Sequence, residues 1–175
     1  MKITNIEFKA RSNDIGSLER KLLNLGPDFK GEDQQRDTYF KVEKGRLKLR
    51  EGDIENSLIY YERKDVSDSK QSDVLLYQFR ADPSLKEILK KVHGIKVVVD
   101  KKRRIYFIEN VKFHFDTVVS LGTFVEVEAI ENGNIGMEKL KYQCSYYKDF
   151  FEIRESDFEA KSYSDLMLED SRKVF

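Results

Sequence analysis

Residues 111–128 read Val-Lys-Phe-His-Phe-Asp-Thr-Val-Val-Ser-Leu-Gly-Thr-Phe-Val-Glu-Val-Glu. Apolar and polar side chains alternate on both sides of Ser120-Leu121-Gly122, which is the period of a β-strand and not of a helix. Val111, Phe113 and Phe115 share one face, and Lys112, His114 and Asp116 share the other. In the second run Val125 and Val127 oppose Glu126 and Glu128. Two strands, 111–119 and 123–131, therefore each carry one apolar face and one face of fixed charges.

The same division recurs outward along the chain. Over residues 2–10, Ile6, Phe8 and Ala10 alternate with Asn5, Glu7 and Lys9. A Lys44-Gly45 turn joins strands at 38–43 and 46–52, and Arg46, Lys48 and Arg50 oppose Leu47 and Leu49. Over 58–64, Arg63 shares a face with Tyr61 and Ile59. The polar run 66–73 reads as a flexible loop, 74–80 as a further strand, and 96–109 as a strand that allows a break. Helical spacing links Leu18, Leu22 and Leu25 ahead of Gly26-Pro27. Asp82-Pro83 fits an N-cap and first helical position, with Leu85, Ile88, Leu89 and Val92 as one stripe ended by Gly94. A longer helix follows Ile135, and a short one lies around 163–168. Strands with helices inserted between hairpins make an α+β fold, and no linker or internal repeat divides residues 1–175, so a single domain is expected.

Composition narrows the function classes. Lys+Arg and Asp+Glu both number 32 among 175 residues, so no global field draws the protein to nucleic acid or a membrane surface. Any anion site must come from local clustering. The Lys101–Arg104 run could be a nucleic-acid patch, but alternation splits it between two faces. Cys144, the single cysteine, has no disulfide partner in the chain and reads as a buried structural thiol. There is no apolar leader at the N-terminus and no long apolar run, so a cytoplasmic protein without a membrane anchor is expected.

One charged strand face is commonly just solvated. Here fixed charges stack in rows, and like charges facing each other across a sheet repel. A polyanion on the basic row and cations on the acids would relieve that repulsion. Lys and Arg on rigid strands clamp phosphoryl groups, with Arg adding bidentate geometry. Carboxylates on adjacent strands suit Mg²⁺ or Mn²⁺. A sheet closed on itself would gather the rows around one axis.

The segments also resemble the CYTH family of triphosphate tunnel metalloenzymes, which includes class IV adenylate cyclases and thiamine triphosphatases. Asn5-Ile6-Glu7-Phe8-Lys9 is similar to its N-terminal E-x-E-x-K motif, with Asn5 in place of the first Glu. Asp37–Phe40 with Gly45–Glu51, then Leu58–Asp65, the Lys101/Arg103 pair, residues 111–128 and the Ser162–Leu168 stretch follow in family order. The resemblance implies a closed eight-stranded antiparallel barrel with helices outside. It implies that Lys9, Lys48, Arg50, Arg63, Lys101 and Arg103 bind phosphate. Glu7, Glu126 and Glu128 would hold Mg²⁺ or Mn²⁺, with Asp116 as a further ligand or water-orienting acid, and Lys9 and Asp116 form the catalytic pair. A one-residue slip would exchange Lys101/Arg103 for Lys102/Arg104.

The expected function is metal-dependent hydrolysis of tripolyphosphate, a nucleoside triphosphate or another organic triphosphate. Two alternatives are adenylate cyclase activity and a non-catalytic polyphosphate- or nucleotide-binding module. Asn5 offers an oxygen but neither charge nor basicity, and the His-Phe pair of some bacterial class IV cyclases is absent, which weighs against cyclisation. The expected partner is a small-molecule triphosphate, with the protein a monomer or homodimer. His93 fits a helix end; His114 fits a phosphate or base contact and a structural imidazole equally. The tyrosines are candidates for the core or barrel wall.

Overall fold

The computed structural model describes residues 2–62, 70–80, 82–131, 133 and 135–172. Eight strands form it: β1 (Lys2–Arg11), β2 (Asp28–Phe40), β3 (Arg46–Glu51), β4 (Ser57–Glu62), β5 (Lys70–Gln78), β6 (Ile95–Ile108), β7 (Val111–Val118) and β8 (Gly122–Ile130). They close into an antiparallel barrel in the order β1-β5-β4-β3-β2-β6-β7-β8. Helices α1 (Ile15–Leu23), α2 (Pro83–His93), α3 (Met137–Phe150) and α4 (Tyr163–Arg172) lie outside the wall or at its end. None of the described helices is long and apolar enough to cross a membrane.

Alternation assigns each face. The odd residues of β1, Asn5, Glu7 and Lys9, turn into the lumen, as do Lys112, His114 and Asp116 of β7 and Glu126 and Glu128 of β8. The register of β6 places Lys101 and Arg103 inside; Lys102 and Arg104 point outward and pair with Glu32 and Glu19. The outward residues of β1, β7 and β8 form the main apolar core against α1 and α3: Ile6, Phe8, Phe113, Phe115, Val125 and Val127 pack on Leu22, Leu140, Tyr147 and Phe151. Cys144 is buried there, and its thiol donates to the Ile6 carbonyl at 3.1 Å. These strands are thus buried on both faces, apolar outside and charged inside.

A second cluster closes one end of the lumen. Tyr39, Val99, Val118 and Phe124 are the inward residues at that end, and Tyr163 and Leu166 of α4 cover them. Ser162 caps α4 by bonding Asp165, and Arg46 at the start of β3 reaches Asp165 at 2.8 Å. The β7–β8 hairpin is tight, with Leu121 donating its N–H to the Val118 carbonyl and Gly122 at φ +95°.

Several sequence expectations are corrected. β2 begins at Asp28, ten residues before 38, because both faces of 28–37 are polar and give no apolar period; it pairs along β6 through Glu32–Lys102 and Arg36–Asp100. Residues 70–73, read as loop, belong to β5, and β6 is unbroken. The helix predicted to run through Leu25 ends at Leu23, leaving Leu25 exposed. The α2 stripe is only half-covered: Leu85 and Leu89 are half-buried, whereas Ile88 and Val92 face solvent.

Phe113 has no exposed surface, and its ring lies edge-on to Tyr147 with centroids 4.6 Å apart. Phe113→Ala should lower the unfolding free energy by about 3–5 kcal/mol, measured by urea denaturation. Ile88→Ala should stay within about 0.5 kcal/mol of the wild type in the same assay.

Candidate functional site

The lumen holds a cavity of about 350 Å³. Among the described residues, six bases line it (Lys9, Lys48, Arg50, Lys101, Arg103 and Lys112), against the five carboxylates of Glu7, Asp37, Glu55, Glu126 and Glu128. Several bases on one closed wall give an anionic guest cations to pair with, and screening by salt is weak there. The β4–β5 side is neutral or apolar where described, with Ser57, Ile59, Tyr61, Val74 and Leu76. Arg63, expected from the sequence to bind phosphate, lies outside the described residues.

Asp37 gathers the basic row. Its carboxylate accepts from Arg50 Nε and Nη2 at 2.9 and 3.0 Å, from Lys101 Nζ at 2.7 Å and from Lys48 Nζ at 3.2 Å. One acid on β2 thereby holds three cations from β3 and β6 at one level of the lumen. Lys9 stands nearer α4: its ammonium donates to the Lys161 carbonyl and lies 4.4 Å from the Tyr163 ring centre.

Asp116, expected as a further metal ligand or a water-orienting acid, is engaged by Arg103 and Tyr163. Arg103 binds both of its oxygens, Nε at 2.7 Å and Nη2 at 2.5 Å, and the Tyr163 hydroxyl donates to Oδ2 at 2.8 Å. Arg103 Nη2 also reaches Glu126 Oε2 at 2.8 Å. Asp116 therefore orients Arg103 and ties it to the closing helix.

The cluster with metal-ligand spacing is His114, Glu126 and Glu128, whose ligand atoms lie within 4.8 Å of one another. His114 Nδ1 is 3.3 Å from Glu126 and 3.5 Å from Glu128. Burial, with Arg103 and Lys112 nearby, pushes the imidazole down to about 3, so at neutral pH it is uncharged and keeps a lone pair for a cation. Burial and the neighbouring Glu126 push Glu128 up to about 7. Glu126 goes the other way: burial opposes its ionisation, but the His114 hydrogen bond and the Arg103 charge hold it well below the usual range. Of the five buried side-chain atoms without a hydrogen-bond partner among the described residues, His114 Nε2 belongs to this cluster and Asn5 Oδ1 lines the same cavity. A neutral imidazole, two carboxylates and unpartnered donor atoms fit a divalent ion. Glu7, on β1 opposite Glu128, lies outside this trio and accepts from Asn5 Nδ2 at 3.2 Å.

Sequence reasoning passed over Asp37, Glu55, Lys112 and Tyr163 as site residues. Lys112 lay on an already identified strand and was legible from alternation, whereas Asp37 falls just before the strand read at 38–43, in the part of β2 that has no apolar period. Glu55 sits in a turn and Tyr163 at the start of a helix, where no period marks an inward side chain.

Asp37 tests how far these charges hold the barrel together. Burial would raise its pKa, but the Arg50 and Lys101 charges keep it well below the ordinary value. Its folded pKa being depressed, the stabilisation is complete above the ordinary carboxylate pKa near 4 and is lost as pH falls towards the folded value. Asp37→Asn should cost about 3–5 kcal/mol at pH 7 by leaving buried cations unpaired. In urea titrations the gap to the wild type should hold at pH 7 and narrow once the pH drops below about 4.

The CYTH domain profile matches residues 4–144. No curated protein matches the sequence. Among solved structures, the PH1012 protein of Pyrococcus horikoshii OT3 is 27% identical and superposes with a TM-score of 0.80, over 93% of this chain and 98% of that one. A conserved hypothetical protein of Pyrococcus furiosus is 22% identical, with a TM-score of 0.78 over 93% of this chain and 99% of that one. HpAC1 of Hippeastrum, whose structure is described as revealing a dominant triphosphatase activity, is 15% identical with a TM-score of 0.62, over 97% and 95% of the two chains. The profile spans most of the chain, including the basic row, the His114/Glu126/Glu128 cluster and the β7–β8 hairpin: the protein belongs to the CYTH family.

Proposed function

We propose that the protein is a divalent-metal-dependent triphosphatase whose barrel lumen takes up the triphosphate of tripolyphosphate or of an organic triphosphate. The observation that carries this reading is the meeting of six bases and a His/Glu/Glu cluster in one cavity of about 350 Å³. HpAC1 supports it as a protein of the same fold with a dominant triphosphatase activity.

In this reading Lys48, Arg50 and Lys101 exchange part of their hold on Asp37 for phosphoryl oxygens. Arg103 presents its guanidinium from a fixed orientation, because Asp116 and Tyr163 leave it no freedom to turn away. Such preorganised charge is worth more in a water-poor lumen than in bulk solvent. Lys9 adds a cation at the α4 end. His114, Glu126 and Glu128 would hold the metal ion, which supplies charge neutralisation on phosphoryl oxygens as they gain charge in transfer to water. The nitrogen donor makes Mn²⁺ a better fit than Mg²⁺, which takes oxygen ligands almost exclusively. Asn5 cannot remove a proton, and its amide instead holds Glu7.

The test is product analysis. Purified protein incubated with tripolyphosphate or ATP and Mn²⁺ or Mg²⁺ should release orthophosphate. Glu126→Gln/Glu128→Gln should abolish the metal-dependent release together with Mn²⁺ binding measured by calorimetry. Cyclic AMP with pyrophosphate from ATP would replace hydrolysis by cyclisation, and tight binding without products would leave a binding module.

A further inference from the structure

β3 runs from Arg46, which pairs with Asp165 of α4, to Glu51, and the turn between Glu51 and Ser57 of β4 brings Glu55 to the lumen wall at the other end of β3. Buried Asp33 of β2 holds this turn. Its carboxylate accepts the backbone N–H groups of Ile54 at 2.9 Å and Glu55 at 3.0 Å, and the Gln35 amide at 2.7 Å. Asn56 closes the turn by bonding the backbone of Gly52 in both directions. Gly52 is required by close approach, since a Cβ there would lie 2.7 Å from Asp33 Oδ1.

This scaffold delivers a carboxylate into the basic lumen. Glu55 Oε1 accepts from Lys112 Nζ at 2.5 Å, and Oε2 accepts from Arg50 Nη1 at 2.9 Å and Gln35 Nε2 at 3.0 Å. Lys112 is on β7 and Arg50 on β3, with β2 and β6 between them around the wall. Glu55 therefore spans the lumen as an anion bridging two cations and a neutral donor. A guanidinium, an ammonium and an amide converging on two oxygens are also what a phosphoryl group selects.

We propose that Lys112, Arg50 and Gln35 form an outer anion subsite, and that Glu55 fills it as an internal counter-anion which an entering phosphoryl group displaces. The proposal rests on the triphosphate reading of the lumen. Glu55 is the partner built to leave. It sits in a turn with its side chain 23% exposed, whereas Arg50 and Lys112 stand on strands paired on both sides and are 9% and 13% exposed. Asp37 is the contrast, an acid on a strand with its side chain 2% exposed that stays among its cations. Glu55 thus competes with the substrate and sets a threshold that weakly charged anions do not pass.

The experiment is calorimetric titration of tripolyphosphate, with EDTA present to prevent turnover, into the wild type, Glu55→Gln and Glu55→Gln/Lys112→Met. Glu55→Gln keeps the side-chain length and the backbone bonds to Asp33, so the turn is retained. It should bind at least about tenfold more tightly than the wild type, within the range measured for single close charge pairs. Lys112→Met added to it should remove that gain. Binding by Glu55→Gln that is equal to or weaker than a wild type that does bind would overturn the subsite while leaving the triphosphate reading in place. No binding by any of the three would overturn the triphosphate reading, and the subsite with it.

Discussion

Arg103 and Asp116 face each other across β6 and β7 inside a closed barrel, and much of the structure is arranged around that pair. Neither side chain reaches bulk water, so each would be severely destabilising alone. Together they link three parts of the molecule. The Tyr163 hydroxyl on Asp116 fixes the closing helix, and the second Arg103 contact, to Glu126, fixes an arm of the His114/Glu126/Glu128 cluster. The remaining polar face of the lumen continues the same logic through Asp37 and its three cations. A charged interior is tolerable where buried charges meet opposite ones before any guest arrives, as Arg103 meets Asp116 and Asp37 meets Arg50.

That interior transfers the burden of stability to the outside of the wall. In an ordinary filled barrel the inward side chains are the core. Here Phe8, Phe113, Phe115 and Val127 point away from the axis, and α1 and α3 supply the apolar surface they need. The helices are therefore required by the tunnel: without them the strands would expose their apolar face while their charged face was already committed. This also explains why the best-covered strands, β1, β7 and β8, carry the acids. Ligand atoms held within 4.8 Å of one another demand a rigid backing, and these strands are packed on both sides.

The rigid half of the molecule was also the legible half. Strict alternation at 5–10, 46–50 and 111–128 marked strand, face and charge together, because an apolar core on one side forces the period. The order of those segments indicated the closed barrel and the family. Where no core lies behind a strand the signal vanishes: residues 28–37 are polar on both faces, and 70–73 looked like loop for the same reason. Glu55 and Tyr163 were invisible for a different reason. Their direction into the lumen is set by a buried Asp33 and by the capping of α4, contacts between residues far apart in sequence. The place of His114 depended on three-dimensional spacing, which sets its imidazole beside Glu126 and Glu128.

Asn5 follows from the same bookkeeping of charge. It sits two residues before Glu7, and Glu7 faces Glu128 across β1 and β8. A carboxylate at position 5 would add a third acid to that edge, and like charges raise one another's cost of ionisation. The amide supplies a donor to Glu7 in its place and leaves Oδ1 uncommitted. The β1 acids are thereby reduced to one, whereas on β7 and β8 His114 lies within 3.5 Å of both Glu126 and Glu128. Asn5 on the first strand and His114 on the seventh are both uncharged groups beside the acids Glu7, Glu126 and Glu128, and Arg103 and Lys112 supply the positive field at His114.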